Sequence, residues 1–137
     1  MEGGPVNLLL DTQALLWWLA GDGELTPAQA EALPRAESAG HPLGVPAIAL
    51  WELARLVERG QIEARVSIDA LFEEIESHPR LQILPITPRV ALESTRLGRA
   101  FPRDPADQLI AATARVHGLR LVTKDREIRR SGVVAVL

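Results

Sequence analysis

Short apolar runs alternate with longer stretches of helical periodicity along this chain, and that alternation constrains the fold more than any other feature. Residues 6–10 are apolar except for Asn7 and read as a buried strand. Residues 12–20 follow as a helix. Thr26-Pro27-Ala28-Gln29 has the form of a capping box with proline at the first helical position, opening a helix to about residue 39. Residues 43–45 read as a short strand, and Pro46 opens a helix that Gly60 stops. Ser67 caps a helix over 68–77, residues 81–86 form a strand, and Thr87-Pro88 starts another helix. Asp104-Pro105 caps a helix ending at Gly118; strands follow at 119–123 and, at an edge, 133–137.

Parallel strands need crossovers, and helices between strands supply them. The expectation is an α/β fold, a parallel sheet of about five strands flanked by helices on both faces. The chain has 137 residues, enough for one core, and no linker divides it. A single domain over residues 6–137 with a short extension at 1–5 is expected. In open sheets of this kind the functional crevice lies outside the carboxyl ends of the strands.

Composition narrows the chemistry. No apolar run approaches the roughly 18 residues of a membrane span, and the N-terminus lacks the basic start of a signal peptide. With no cysteine, disulfides and thiolate metal sites are excluded, and a cytoplasmic location is expected. The net charge of −3 argues against a protein that grips nucleic acid over its whole surface, so any such contact is local. Only 3 histidines are present, so a metal would be held by carboxylates, which favours Mg²⁺ or Mn²⁺.

Four acids stand where that chemistry would sit. One strand runs into Asp11 and another into Lys124-Asp125, which places both carboxylates at the same sheet edge. Glu52 lies in the apolar helical stretch Ile48-Ala49-Leu50-Trp51-Glu52-Leu53-Ala54. Asp107 lies one turn into the helix that begins at Asp104. Each has an ordinary alternative. Asp11 and Asp125 suit turns or helix caps, Glu52 can pair with Arg55 or Arg59 at helical spacing, and Asp104 with Asp107 favours a helix start. A cluster of carboxylates is costly to ionise, and a divalent cation removes that cost while preparing water and phosphodiester for reaction.

Taken together these segments resemble the PIN domain, and within it the VapC-type toxins of bacterial toxin–antitoxin pairs. The similarity spans about residue 7 to residue 137. It rests on Leu8-Leu9-Leu10-Asp11-Thr12-Gln13-Ala14-Leu15-Leu16-Trp17-Trp18-Leu19, on Ala47-Ile48-Ala49-Leu50-Trp51-Glu52-Leu53, on Arg103-Asp104-Pro105-Ala106-Asp107-Gln108-Leu109-Ile110-Ala111-Ala112-Thr113-Ala114, and on Leu121-Val122-Thr123-Lys124-Asp125. The resemblance implies an endoribonuclease in which Asp11, Glu52, Asp107 and Asp125 hold one or two Mg²⁺ or Mn²⁺ ions. It also implies a homodimer and a cognate VapB-like antitoxin that covers the site. Asp104 is a further candidate near the metal, and the hydroxyls of Thr12 and Thr123 can orient ligands. Gln13 and Gln108 stand where many relatives carry His and Arg, so substrate contacts are left open. Arg55, Arg103 and Arg126 are candidate RNA contacts, each with the alternative of a solvated surface charge. Trp17, Trp18 and Trp51 are expected to pack in the core or an interface rather than stack on bases. Two alternatives remain, a housekeeping RNA-processing nuclease and a catalytically silent binding module of the same fold.

Overall fold

The computed structural model describes residues 4–21, 24–62 and 66–137; residues 1–3 of the expected N-terminal extension lie outside the described residues. The elements run β1 (Leu8–Leu10), α1 (Thr12–Ala20), α2 (Pro27–Ser38), β2 (Leu43–Pro46), α3 (Ala47–Glu58), α4 (Ile68–Ser77), β3 (Leu81–Leu84), α5 (Pro88–Glu93), α6 (Pro105–His117), β4 (Arg120–Val122) and α7 (Arg126–Ser131). All pairings in the sheet are parallel, in the order β3-β2-β1-β4. No helix among the described residues is long and apolar enough to cross a membrane.

The capping expected from sequence is present. Thr26 and Gln29 form a reciprocal capping box, and Asp11, Ser67, Thr87, Asp104 and Asp125 each accept a hydrogen bond from a backbone N–H in the first turn of the following helix. Side chains alternate across the sheet as strand geometry demands. Leu8, Leu10 and Val122 face a core shared with Leu15, Leu33, Leu43, Val45, Leu53 and Ile75. Leu9 and Leu121 face the other core, filled by Ile110, Ala111, Ala114, Phe101 and Ile128. Both faces of the sheet are therefore covered, which is why its central strands are unbroken apolar runs. Gly44 lets β2 sit close to β1, because a Cβ there would stand 3.0 Å from Val6 Cγ1 and 3.1 Å from Leu9 Cδ1.

The α/β parallel-sheet expectation holds, and three details differ from the sequence pattern. Among the described residues the sheet has four strands, not about five. Residues 133–137 make only one parallel bridge, Leu121 to Val136, with Leu121 N–H on the Ala135 carbonyl at 2.8 Å and Leu137 N–H on the Leu121 carbonyl at 2.9 Å. β3 stops at Leu84 because Pro85 has no N–H to continue a ladder. The helix α7 is not expected from the sequence pattern. It is six residues long and buries only Ile128, too short to show a helical period, and Gly132 ends it at φ +66°.

Candidate active site

The chain leaves β1 toward β2 and β3 on one side and returns to place β4 on the other, so the strand order reverses between β1 and β4. A crevice opens at such a point, outside the carboxyl ends of the two strands. Asp11 directly follows β1, its N–H bonded to the Val122 carbonyl of β4 at 3.2 Å. Asp125 follows β4. Both cap helices: Asp11 Oδ1 accepts from Ala14 N–H at 2.8 Å and Asp125 Oδ1 from Ile128 N–H at 3.0 Å. The helix-cap and crevice readings of these residues are therefore both realised.

Asp11, Glu52, Asp107 and Asp125 line one cleft of about 310 Å³, together with Thr12, Gln13, Trp17 and Lys124. α3 brings Glu52 to the cleft, where its Oε1 accepts a 2.6 Å hydrogen bond from the Thr12 hydroxyl. That bond replaces the pairing with Arg55 open to it at helical spacing; Arg55 instead lies 5.1 Å over the Trp51 ring. α6 brings Asp107, whose N–H donates to Asp104 Oδ2 at 2.9 Å. Asp104 itself is exposed and lines a neighbouring hollow with Glu52 and Arg55. The Thr123 hydroxyl links the two strand-end acids: it hydrogen-bonds the Asp11 carboxylate and accepts Asp125 N–H at 3.1 Å.

Burial and crowding perturb this cluster. The Asp11 carboxyl is raised above the usual carboxylate range, chiefly by burial. Hydrogen bonds from Thr123 and Ala14 oppose the shift, while the Asp125 and Glu52 charges add to it. The Asp107 carboxyl is pushed up to about 7, first by burial, then by the charges of Asp104, Glu52, Asp125 and Asp11. The side chains stand around the cleft rather than closed about one point, and among the described residues no three acids or histidines form a ready metal-holding group. The donor type nonetheless suits a hard divalent cation: all four groups are carboxylates, and no histidine lines the cleft.

Several residues matter more here than the sequence suggested. Trp17 is a cleft wall, with the Lys124 ammonium 5.3 Å from its ring centroid and bonded to the Glu24 carbonyl at 2.8 Å. Trp18 packs as expected, donating to Glu37 at 2.8 Å and meeting the His78 ring edge-on. Trp51 does not pack in the core; 54 % of it is exposed. Gln29, fully buried, donates from Nε2 to the Thr123 carbonyl at 2.9 Å and the Leu137 carbonyl at 3.2 Å, and Arg129 reaches the same two carbonyls at 3.0 and 2.7 Å. The only sequence signal for Gln29 was its place in the capping box.

A parallel sheet with this strand order and an acid cluster at the crevice between its central strands defines a PIN domain. The chain belongs to that family: the PIN-domain model matches residues 8–133. Among curated proteins it is 40 % identical over 123 residues to Ribonuclease VapC22 of Mycobacterium tuberculosis, covering 90 % of both chains. Among solved structures it resembles VapBC2 of Rickettsia felis bound to a promoter DNA fragment, at TM-score 0.71 and 16 % identity over 96 % of this chain and 98 % of that one. FitAcB of Neisseria gonorrhoeae matches at TM-score 0.66 and 24 % identity, over 95 % and 96 % of the two chains. At such identities the structural likenesses speak for the fold alone.

Proposed function

We propose that this chain cleaves RNA hydrolytically at a divalent-cation site formed by Asp11, Glu52, Asp107 and Asp125. It is a VapC-type PIN ribonuclease, the toxin member of a toxin–antitoxin pair, and its extended identity to a VapC ribonuclease supports that assignment. The observation that carries the chemistry is the convergence of four carboxylates on one cleft, two of them held above their usual range. Residues 6–137 act as one catalytic domain. Mg²⁺ or Mn²⁺ would be held by these four carboxylates, and such an ion supplies charge neutralisation for a phosphodiester and a lowered pKa for water.

The chain's own residues prepare that site. The Thr12 hydroxyl fixes the rotamer of Glu52, and the Thr123 hydroxyl fixes Asp11 against the Asp125 backbone. Asp104 keeps Asp107 at the helix start and adds negative charge beside it. Trp17, with the Lys124 ammonium over its ring, walls one side of the cleft. Flexible or looped RNA suits a cleft this open, because its backbone bends and its bases are free. A cognate antitoxin covers the cleft, and the toxin acts as a homodimer in the cytoplasm.

Expression of the wild type and of Asp11→Asn without a partner tests the reading. The wild type is expected to arrest growth and to cleave RNA only with Mg²⁺ or Mn²⁺, and the variant to do neither. Equal growth with no metal-dependent cleavage by the wild type overturns it. Calorimetric titration with Mn²⁺ tests the ligands: undiminished binding by both Glu52→Gln and Asp107→Asn overturns their assignment.

A further inference from the structure

A substrate of this cleft meets an electrostatic difficulty. RNA is a polyanion, the cleft carries four carboxylates, and the whole chain has a net charge of −3. A cation in the cleft can neutralise the scissile phosphate, but the flanking phosphates still need positive charge nearby. The chain concentrates such charge on the segments that flank Asp107 and Asp125 in sequence. Residues 94–103 carry Arg96, Arg99 and Arg103 and no acid, and α7 adds Arg126, Arg129 and Arg130.

Arg99, Arg103 and Arg130 line a separate open groove of about 360 Å³, with buried Phe101 beneath and Glu127 as its one acid. All three arginines are exposed, and no carboxylate among the described residues lies within ion-pairing distance of them. Arg129 is different, being committed to the Thr123 and Leu137 carbonyls. The groove is tied to the active site by the chain itself. Arg103 immediately precedes Asp104, the cap of the helix that carries Asp107, and Arg130 lies on the helix capped by Asp125. Both walls of the groove are thus extensions of the elements that present two of the four acids.

We propose that the groove of Arg99, Arg103 and Arg130 binds the phosphates of the RNA strand where it leaves the acid cleft. Guanidinium groups suit this task because their fork of donors matches phosphate oxygens and stays charged at any working pH. The proposal rests on the ribonuclease reading above and assigns that site a substrate track. An acidic segment of a protein partner is the competing occupant. RNA is favoured because the groove is built on the same helix, α7, that lines the cleft through Ile128, and on the segment that leads into α6, which carries Asp107.

The test measures binding of a short fluorescein-labelled single-stranded RNA of mixed sequence across a salt series. All proteins carry Asp11→Asn so that no strand is cut. Replacing Arg99, Arg103 and Arg130 with Gln is expected to weaken binding at low salt by about 10- to 100-fold. The same change should flatten the slope of log K against log salt by about 2, at roughly 0.7 for each phosphate no longer neutralised. Replacing Arg35, Arg80 and Arg89 with Gln removes equal charge elsewhere and is expected to leave the slope unchanged. Replacing the groove arginines with Lys keeps the charge and is expected to keep most of the slope, which separates the removal of charge from a failure to fold. Equal affinities and slopes for the groove and control Gln variants overturn the proposal, as does a groove variant that binds RNA normally but no longer binds its antitoxin. Cleavage by the otherwise wild-type enzyme is scored separately, so failure of the track and failure of the ribonuclease reading are distinguishable.

Discussion

Asp11 and Asp125 occupy matching places at the ends of neighbouring strands, yet the fold treats them differently. Each ends a strand, caps a helix through Oδ1 and contacts the Thr123 group. Asp11 sits at the centre of the sheet between β2 and β4, so burial raises its carboxyl; Asp125 lies over a short terminal helix and is exposed. The same local motif thus yields one acid whose charge is expensive and one whose charge is solvated. A cation stabilises most where the charge costs most, so the function should depend more steeply on Asp11 than on Asp125.

That asymmetry is open to measurement. Asp11→Asn is expected to lower the rate of RNA cleavage by about 10²–10³-fold or more, the range seen when a key electrostatic group is removed. Asn is itself a good helix cap, so the fold should survive. Asp125→Asn is expected to cost less, about 10- to 100-fold. Equal losses in a side-by-side assay would break the comparison. Gln29→Leu probes the support under the Asp125 side. It removes the partner of Thr26 N–H and one of the two donors to each of the Thr123 and Leu137 carbonyls, leaving Arg129 on both, and is expected to cost about 1–3 kcal/mol in urea denaturation.

Asp107 extends the contrast to pH. Well below pH 3.8 its carboxyl is protonated in folded and unfolded chains alike, so it contributes nothing to the pH dependence. Between its usual 3.8 and about 7 the unfolded chain has lost the proton while the folded chain keeps it, so stability falls as pH rises. Above 7 the deficit is constant. Without divalent cation, Asp107→Asn is therefore expected to melt a few degrees above the wild type at pH 8 and to lose most of that advantage at pH 4, by thermal scans at both pH values. On the proposed cation site, added Mg²⁺ is expected to bind the folded wild type and so to reverse the order at pH 8.

The sequence carried most of this architecture because periodicity and caps are local signals. Among the described residues, six of the seven helices and all four strands are where residue pattern and capping put them, within a few residues at the ends. α7 escaped because six residues with one buried side chain display no period. The fifth strand was overread because a run such as Val133 to Leu137 looks alike whether it makes a ladder or one bridge. In the cleft, Asp11 and Asp125 were legible from strand direction, while Glu52 and Asp107 depended on family pattern. Gln29, Trp17 and Lys124 were not legible, because their roles arise from residues far apart in the chain. Trp51 shows the converse: its apolar neighbours suggested a place in the core or an interface, and the helix turns it out of the core beside Arg55.

The finest probe of the two-acid contrast is the hydroxyl they share. Thr123→Val keeps the volume and the β-branch but removes the hydrogen bond that stabilises ionised Asp11 and the acceptor for Asp125 N–H. The Asp11 carboxyl should then rise further, so at a given pH less of it is ionised and cation binding weakens. The apparent Mg²⁺ affinity in cleavage is expected to fall by about 10-fold near neutral pH. The deficit should shrink as pH rises, because ionisation is restored by alkali. Thr123→Ser, which returns the hydroxyl without the methyl, should recover the wild-type pH profile. A purely packing role for Thr123 would give the opposite order, with Val close to wild type and Ser impaired at every pH. That outcome would leave Asp11 and Asp125 as two independent helix caps that happen to border one cleft.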